Sequence, residues 1–495
     1  MKVSIAELMA TSGVAFGTSG ARGLATAMTD RVCYAYTRGF IHYLETIGEG
    51  QVGKRAIAVA GDFRPSTGRI MEAVSLAAES TGWRVIHCGR IPSPAVALFG
   101  LEQGLPAIMV TGSHIPDDRN GIKFNKASGE ILKDDEKGIA AQVVEIDDTI
   151  FDDAGNFRPR APLPRQESGE ALQRYLERYL GFFEADALKG ARIVVYQHSA
   201  VGRDVLVGIL SGLGAETVAL GRSDKFIPVD TEAIRPEDVQ LAREWALKHH
   251  LDAIVSADGD SDRPLVSDEQ GNWLRGDVAG ILCARFLEAD CVCTPVSCNT
   301  ALEKTGWFRE VRRTRIGSPY VIAAMQAATA AGAKRVVGYE ANGGFLTNSS
   351  IPRGNHSLRA LPTRDAVIVI LSILISARRQ GLGISRLVSE LPKRFTASDR
   401  LKNFPTQKSA AILQQFNTGA DEGDREALAR VFGGLCGKVA SIDRTDGLRV
   451  TFANDEVIHL RPSGNAPEFR CYTEADAEDR AGSLNAEVLG ILRGY

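Results

Sequence analysis

The chain has 495 residues, with 58 Lys or Arg against 61 Asp or Glu, a formal charge of −3. That length predicts roughly three or four domains, and 44% hydrophobic with 24% charged residues is the balance of a folded chain, which excludes wholesale disorder. No basic surplus exists to neutralise a polyphosphate backbone, which argues against nucleic acid as the main partner. The opening MKVSIAELMA lacks an apolar signal core, and eight cysteines are too few for a disulfide scaffold, so a reduced, cytoplasmic protein is expected.

Along the chain, short β-rich runs recur, each closed by Gly, Asp or Ser: AIAVAGD (56–62), AIMVTGSH (107–114), IVVYQHS (193–199), AIVSADGD (253–260) and VVGYEANGG (336–344). Strand, loop and helix in alternation predict parallel α/β sheets, whose ligands bind beyond the carboxyl ends of strands. Before the first of these runs lies FGTSGARG (16–23), in which Gly17, Gly20 and Gly23 permit a looping backbone and Arg22 is a candidate for an anionic ligand, or equally the segment is a plain glycine loop. In VTGSHIP (110–116), Ser113 sits beside His114 on a turn; such a serine is a nucleophile or phosphate carrier, or equally a helix N-cap. Lys123, in NGIKF, is a further cation that could reach the same loop, though by itself it reads first as an ordinary surface lysine. Pro159, Pro162 and Pro164 mark a linker near 158–166.

In DGDSDR (258–263), Asp258, Asp260 and Asp262 would repel one another with nothing between them; an all-oxygen set of this kind suits Mg²⁺ or Ca²⁺. Glu269 falls in EF-hand register, but Arg263 stands where the EF-hand glycine is needed, Pro264 follows it and a strand leads in, so that match is read as chance. An Asp-x-Asp after a strand also fits an aspartate-nucleophile phosphatase, which leaves Ser113 unexplained. The following LVSDEQGNWLRGD reads as a second strand and a turn, so the acidic loop joins two strands. CVCTPVSC reads as a strand with buried, inert thiols rather than a zinc site. In GYEANGGF (338–345), Glu340 and Asn342 alternate, and a carboxylate with an amide suits the vicinal hydroxyls of a sugar, although by itself the motif reads first as a Gly-rich turn with a solvated acid. The longest apolar stretch, Ala366 to Ala377, is too short to span a bilayer and predicts a buried helix, so no membrane partner is expected.

Past Glu390 the pattern changes to alternation around a hairpin turn at Asp446-Gly447 and a second turn at Asn454-Asp455, closed by a helix from about Ala477 to Arg493. This predicts a smaller α+β domain after a linker near Leu391–Ser398. In RPSGNAPEFR (461–470), Arg461, Ser463 and Asn465, with backbone N–H groups around Gly464, can wrap a phosphate, the alternative being a turn with an exposed arginine.

Taken in order, the loops TSGxRG, T-x-SH-x-P, DGD-x-DR, GxExxGG and RPSG…R, together with Gly61–Arg64 and Arg364–Ala366, make the chain resemble the α-D-phosphohexomutases, that is, the phosphomannomutases and phosphoglucomutases. The resemblance spans about Phe16 to Arg470. It implies three related α/β domains (1–160, 161–275 and 276–390) plus a C-terminal α+β domain (391–495) around a central active-site cleft. It implies that Ser113 is the phosphorylated serine and that Asp258, Asp260 and Asp262, with its phosphate, hold Mg²⁺. Arg22 and Arg263 would lie near the transferring phosphoryl group, with His114 and Lys123 as candidates for proton transfer. Glu340 and Asn342 would recognise sugar hydroxyls, and Arg461, Ser463, Gly464 and Asn465 the phosphate that is not reacting.

The expected reaction is interconversion of hexose 6-phosphate and hexose 1-phosphate, mannose preferred and glucose also taken, with a hexose 1,6-bisphosphate as intermediate and activator. A monomer or homodimer is expected, as in the family. The alternatives are a phosphoglucosamine mutase, a Mg²⁺-dependent sugar-phosphate phosphatase and a catalytically silent sugar-phosphate sensor. Gly112, Ile115, Gly344 and Ser318 depart from the family pattern: alanine is common at the first, asparagine at the second, histidine at the third, and histidine or an acid at the fourth.

Overall fold

The structure is a computed structural model that describes residues 1–17, 20–49, 55–159, 165–463 and 467–495. The proline-rich linker at 160–164 lies outside the described residues. The chain divides into two units, one of Met1–Val292 with Gly317–Val388 and one of Cys293–Ile316 with Ser389–Tyr495.

In the first unit the apolar runs become strands because they are enclosed by helices on both faces; all six residues of Ala56–Gly61 are buried. The first sheet sets Ala21–Leu24, Arg119–Lys126, Ala107–Val110, Ala56–Gly61 and Arg84–Arg90 side by side in that order. The second orders Glu216–Arg222, Arg192–His198, Ala253–Ala257 and Pro264–Val266. Further on, Val336–Tyr339, Phe345–Thr347 and Leu361–Asp365 lie next to one another.

These sheets are mixed, not purely parallel as the alternation of strands and helices predicts. Ala107–Val110 pairs antiparallel with Arg119–Lys126, Ala253–Ala257 with Pro264–Val266, and Val336–Tyr339 with Phe345–Thr347. Each of those connections carries one of the polar motifs. The cause is loop length: a parallel crossover needs about a dozen or more residues, whereas these turns are shorter and must return beside the strand they leave. All three motifs therefore sit at the carboxyl end of one strand and the start of its antiparallel neighbour.

The apolar run at 366–377 is the buried helix Ala366–Gln380, capped by the Asp365 side chain and ended by Gly381 at φ +65°. Among the described residues, no helix is long and apolar enough to cross a membrane.

The second unit holds an antiparallel sheet in the order Phe395–Leu401, Phe469–Ala475, Val457–Pro462, Leu448–Phe452, Val439–Asp443. The helices Thr406–Gln414, Asp421–Cys436 and Glu478–Arg493 belong to the same unit, whose core includes Phe416, Phe432, Phe452, Phe469 and Leu484. Gly447 turns the hairpin at φ +79°, and a Cβ there would lie 2.3 Å from the Leu460 carbonyl oxygen, so only glycine fits. The expected linker at Leu391–Ser398 is in part structured: Phe395–Leu401 pairs along its whole length with Phe469–Ala475. The polar and charged Thr396, Ser398, Asp399 and Arg400 mask an edge strand as a connection. All eight cysteines are buried, in keeping with inert thiols.

Candidate active site

Strand pairing assembles the site. Met109 stands opposite Lys123, so the returning strand after the Ser113 turn brings Lys123 back to it, and Arg22, opposite Gly121, is brought there by the strand Ala21–Leu24 paired alongside. Gly20, at φ +95°, would put a Cβ 2.2 Å from the Ile122 carbonyl oxygen, which explains the glycine in TSGARG; Thr18 and Ser19 lie outside the described residues. Ser113 is fully buried and left-handed at φ +56°. It does not cap a helix: its Oγ donates to Asp258 Oδ2 at 2.6 Å, which joins the serine loop to the acidic loop.

The acidic loop is folded around Asp258. Its Oδ1 accepts the backbone N–H groups of Asp262 and Arg263 at 3.2 and 3.1 Å, which closes the turn. Lys123 Nζ donates to Asp260 Oδ2 and to Asp262 Oδ2, each at 2.6 Å. The three carboxylates are buried, and each offers an oxygen within 4.8 Å of the others. Burial, then Asp260 and Asp262, push the Asp258 carboxyl well above the carboxylate range. Burial alone would also raise Asp262, but Arg364, Lys123 and Arg263 outweigh it and hold that group well below the range.

Asp260 Oδ1 and Asp262 Oδ1 are buried without a hydrogen bond. Two orphaned acceptors among three hard oxygen donors fit a small divalent cation such as Mg²⁺. Glu269, in EF-hand register, instead binds the Ser385 backbone N–H at 3.2 Å and its hydroxyl, consistent with a chance match.

Opposite the acids is a crowd of cations. Burial first, then Arg263 and Arg364, bring Arg22 down to about 10, and its Nε is buried without a hydrogen bond. Arg263 donates to His114 Nδ1 at 2.8 Å. Because a guanidinium can only donate, that nitrogen is unprotonated and the ring is neutral. Burial together with Arg263 and Arg22 holds the imidazole well below its ordinary range, and Nδ1 lies 3.4 Å from Ser113 Oγ. Guanidinium groups that depress one another are an anion site, and a phosphate suits their donor geometry.

Glu340 and Asn342 are both buried. Asn342 is turned into its own loop: Oδ1 accepts the Gly344 N–H at 2.9 Å and its carbonyl accepts the Thr231 hydroxyl at 2.7 Å. Glu340 Oε2 accepts from Arg364 at 3.2 Å, and Arg364 Nε donates to Asp262 Oδ2 at 3.1 Å. Arg364, 1% exposed, thus bridges the acidic loop and the Glu340 loop. A Cβ at Gly344 would lie 2.5 Å from Arg364 Cδ, so the arginine stem occupies the space a side chain there would need. The neighbouring Asp365 is anchored by Tyr175 Oη at 2.7 Å and by Tyr179 Oη, which sets where the strand ends and Arg364 points. Arg364→Lys keeps the charge and loses the forked contact. It is expected to lower turnover per folded molecule about 10- to 100-fold, as read by steady-state kinetics alongside a melting curve.

Arg461 and Ser463 lie in the second unit, where Arg461 Nε is 3.0 Å from Asp446 Oδ2 and Ser463 is buried. Gly464 and Asn465 lie outside the described residues.

Four consecutive profiles of the phosphoglucomutase/phosphomannomutase family match the chain: α/β/α domain I over 13–149, domain II over 173–271, domain III over 275–395 and the C-terminal domain over 400–491. The chain belongs to this family. It is 42% identical to a phosphomannomutase of Salmonella muenchen over 98% of this chain and 97% of that one. It is 43% identical to a phosphomannomutase of Sinorhizobium fredii over 97% and 99%. A crystal structure of a phosphoglucomutase/phosphomannomutase family protein from Burkholderia thailandensis shares the fold, with a TM-score of 0.73, 19% identity and coverage of 96% and 97%. As a member of the phosphoglucomutase/phosphomannomutase family the chain is a hexose phosphate mutase, an isomerase that works by moving a phosphoryl group.

Proposed function

We propose that the chain interconverts hexose 6-phosphate and hexose 1-phosphate, with mannose preferred and glucose also accepted, by way of a phosphoserine at Ser113 and a hexose 1,6-bisphosphate. The observation that carries this reading is the 2.6 Å contact between Ser113 Oγ and Asp258, with Arg22, Arg263 and Arg364 gathered at the same loops. The preference for mannose is supported by two relatives above 40% identity that both bear the name phosphomannomutase.

Phosphoryl transfer needs alignment and neutralised charge more than new covalent chemistry. In the first half-reaction the P–O bond to Ser113 Oγ breaks as a sugar hydroxyl oxygen takes the phosphoryl group. The hydroxyl proton passes to a base, and the serine oxygen is left to be reprotonated. The bisphosphate turns round and returns its other phosphate to Ser113, regenerating the enzyme. Arg22 and Arg263 steady the transferring oxygens. Bound at Asp258, Asp260 and Asp262, Mg²⁺ would supply charge neutralisation for the phosphate.

Of the two candidates for proton transfer, His114 is neutral and beside Ser113, whereas Lys123 is committed to two carboxylates. Glu340 is assigned to the sugar hydroxyls with Asn342 shaping its loop, and the loop from Arg461 to Asn465 to the phosphate that is not reacting.

The test is a coupled mutase assay with mannose, glucose and glucosamine 1-phosphates, with and without Mg²⁺, alongside the intact mass of the protein. Isomerisation of mannose 1-phosphate fastest, with one phosphate group on the Ser113 peptide, is the expected result. Free phosphate without isomer would replace this reading with a phosphatase, glucosamine as the best substrate would move the chain to the phosphoglucosamine mutases, and no turnover would favour a sensor.

A further inference from the structure

We propose that Arg64 is a positioning residue for Ser113 and that the Phe226 ring, stacked on its guanidinium, helps hold it there. This rests on the reading of Ser113 as the phosphoryl carrier.

The starting point is strain. A non-glycine residue at φ +56° holds that conformation only when its surroundings impose it. Both peptide groups of Ser113 are held by one buried ion pair. On one side, the Ser113 N–H donates to Thr111 Oγ1 at 2.7 Å, and that hydroxyl donates to Asp62 Oδ2 at 2.7 Å. On the other, Arg64 Nη2 donates to the Ser113 carbonyl at 2.6 Å. Asp62 and Arg64 close the ring through Nε at 3.1 Å. The pair is itself fixed: Asp62 Oδ1 accepts the Thr67 hydroxyl at 2.7 Å and the Arg64 backbone N–H at 3.1 Å. Arg64 Nη1 also reaches the Pro116 carbonyl at 2.8 Å and that of Arg119 at 3.3 Å, and so grips the loop on both sides of its exit.

Arg64 is 1% exposed, and the hydrogen bonds it makes stop at backbone carbonyls and Asp62, so it acts through Ser113 and not on the reacting atoms. Its guanidinium is pressed flat between two surfaces. A Cβ at Gly112 would lie 2.7 Å from Arg64 Cζ, and the Phe226 ring centroid is 4.0 Å from the same carbon. Phe226 also approaches the acidic loop: a Cβ at Gly259 would lie 2.9 Å from Phe226 Cζ and 2.7 Å from the Ser113 carbonyl oxygen. The ring, the serine peptide and the acidic-loop backbone therefore meet at one point. A tilt of the Ser113 peptide would swing Oγ away from Asp258.

The variants are Arg64→Lys, which cannot hold three carbonyls and a carboxylate in one plane, and Phe226→Leu, which removes the stack. The control is Arg69→Lys, because Arg69 makes a comparable clamp in the same sheet unit, on Ala25, Met28 and Asp30, and shares no partner with Ser113. The readouts are kcat and KM for the best hexose 1-phosphate at saturating Mg²⁺ and hexose 1,6-bisphosphate, per folded molecule.

Arg64→Lys is expected to lose about 100-fold in kcat and Phe226→Leu about 10-fold, with KM little changed, the signature of a misplaced reacting group. Arg69→Lys is expected to keep its kcat. Unchanged kcat in Arg64→Lys and Phe226→Leu, or an equal fall in Arg69→Lys, overturns the proposal; if Arg64→Lys does not fold, Phe226→Leu decides it. Ser113→Ala run beside them separates the two ideas. Activity in that variant removes the phosphoserine reading itself, whereas its inactivity with normal clamp variants removes only the role of Arg64.

Discussion

Ser113→Ala is expected to abolish mutase turnover, by at least about 10⁴-fold, while the folded chain still binds hexose phosphate. In the proposed mechanism the hydroxyl accepts the travelling phosphoryl group in one half-reaction and donates it in the other, so no partial route would survive its removal. Binding is expected to persist because the groups that would grip the substrate are elsewhere: Arg22, Arg263 and Arg364 meet neighbours other than Ser113. The backbone of the loop also keeps its shape, since Thr111 and Arg64 hold the residue 113 peptide and not the side chain. The measurements are turnover in the coupled assay and calorimetric binding of mannose 1-phosphate. Turnover within about tenfold of the unaltered chain would end the phosphoserine mechanism.

Chelation of divalent metal is expected to cost about a thousand-fold or more in turnover, yet to leave the melting temperature nearly where it was. The first part follows from charge. Three buried carboxylates and a phosphate dianion carry more negative charge than Lys123, Arg22, Arg263 and Arg364 together offset, so a further counter-cation is called for. The second part follows from the same contacts. With Lys123 on Asp260 and Asp262, Arg364 on Asp262, and Ser113 with two backbone N–H groups on Asp258, the acidic loop is already tied down by the protein. Activity should return on adding Mg²⁺ without a refolding lag. Full turnover in the presence of chelator, or collapse of the fold on chelation, would contradict this account.

The parts of the site that could be read from the sequence are those whose chemistry is local. DGDSDR declares itself because alternate acids after a strand crowd one face of a short loop, and Ser113 because a strand delivers it to a turn. Lys123 was within reach because it follows Ser113 by only ten residues. Arg364 and Arg64 carry no such local mark, although the segments around them matched the family. Their importance lies in partners far along the chain: Asp262 and Glu340 for one, Ser113, Pro116 and Arg119 for the other. Asn342 shows the converse limit. Its alternation with Glu340 suggests that both face a ligand, and it does not report that a side-chain carbonyl two residues before a backbone N–H takes that donor.

The fold followed the same division. Buried runs such as Ala56–Gly61 and Ala366–Gln380 and the turn at Gly447 were evident from pattern alone. The antiparallel return after each site loop was not, because hydrophobic pattern reports burial and not strand direction. Nor was the strand at Phe395–Leu401, whose polar surface comes from standing at the edge of its sheet.

The enclosure of every thiol has a practical consequence. Cys33, Cys88, Cys283 and Cys291 belong to the first unit and Cys293, Cys298, Cys436 and Cys471 to the second. An alkylating reagent meets no accessible sulfur until some part of the chain opens. Mapping which peptides become labelled during gentle heating would therefore date the opening of each unit separately, with no dye or tag added to the protein.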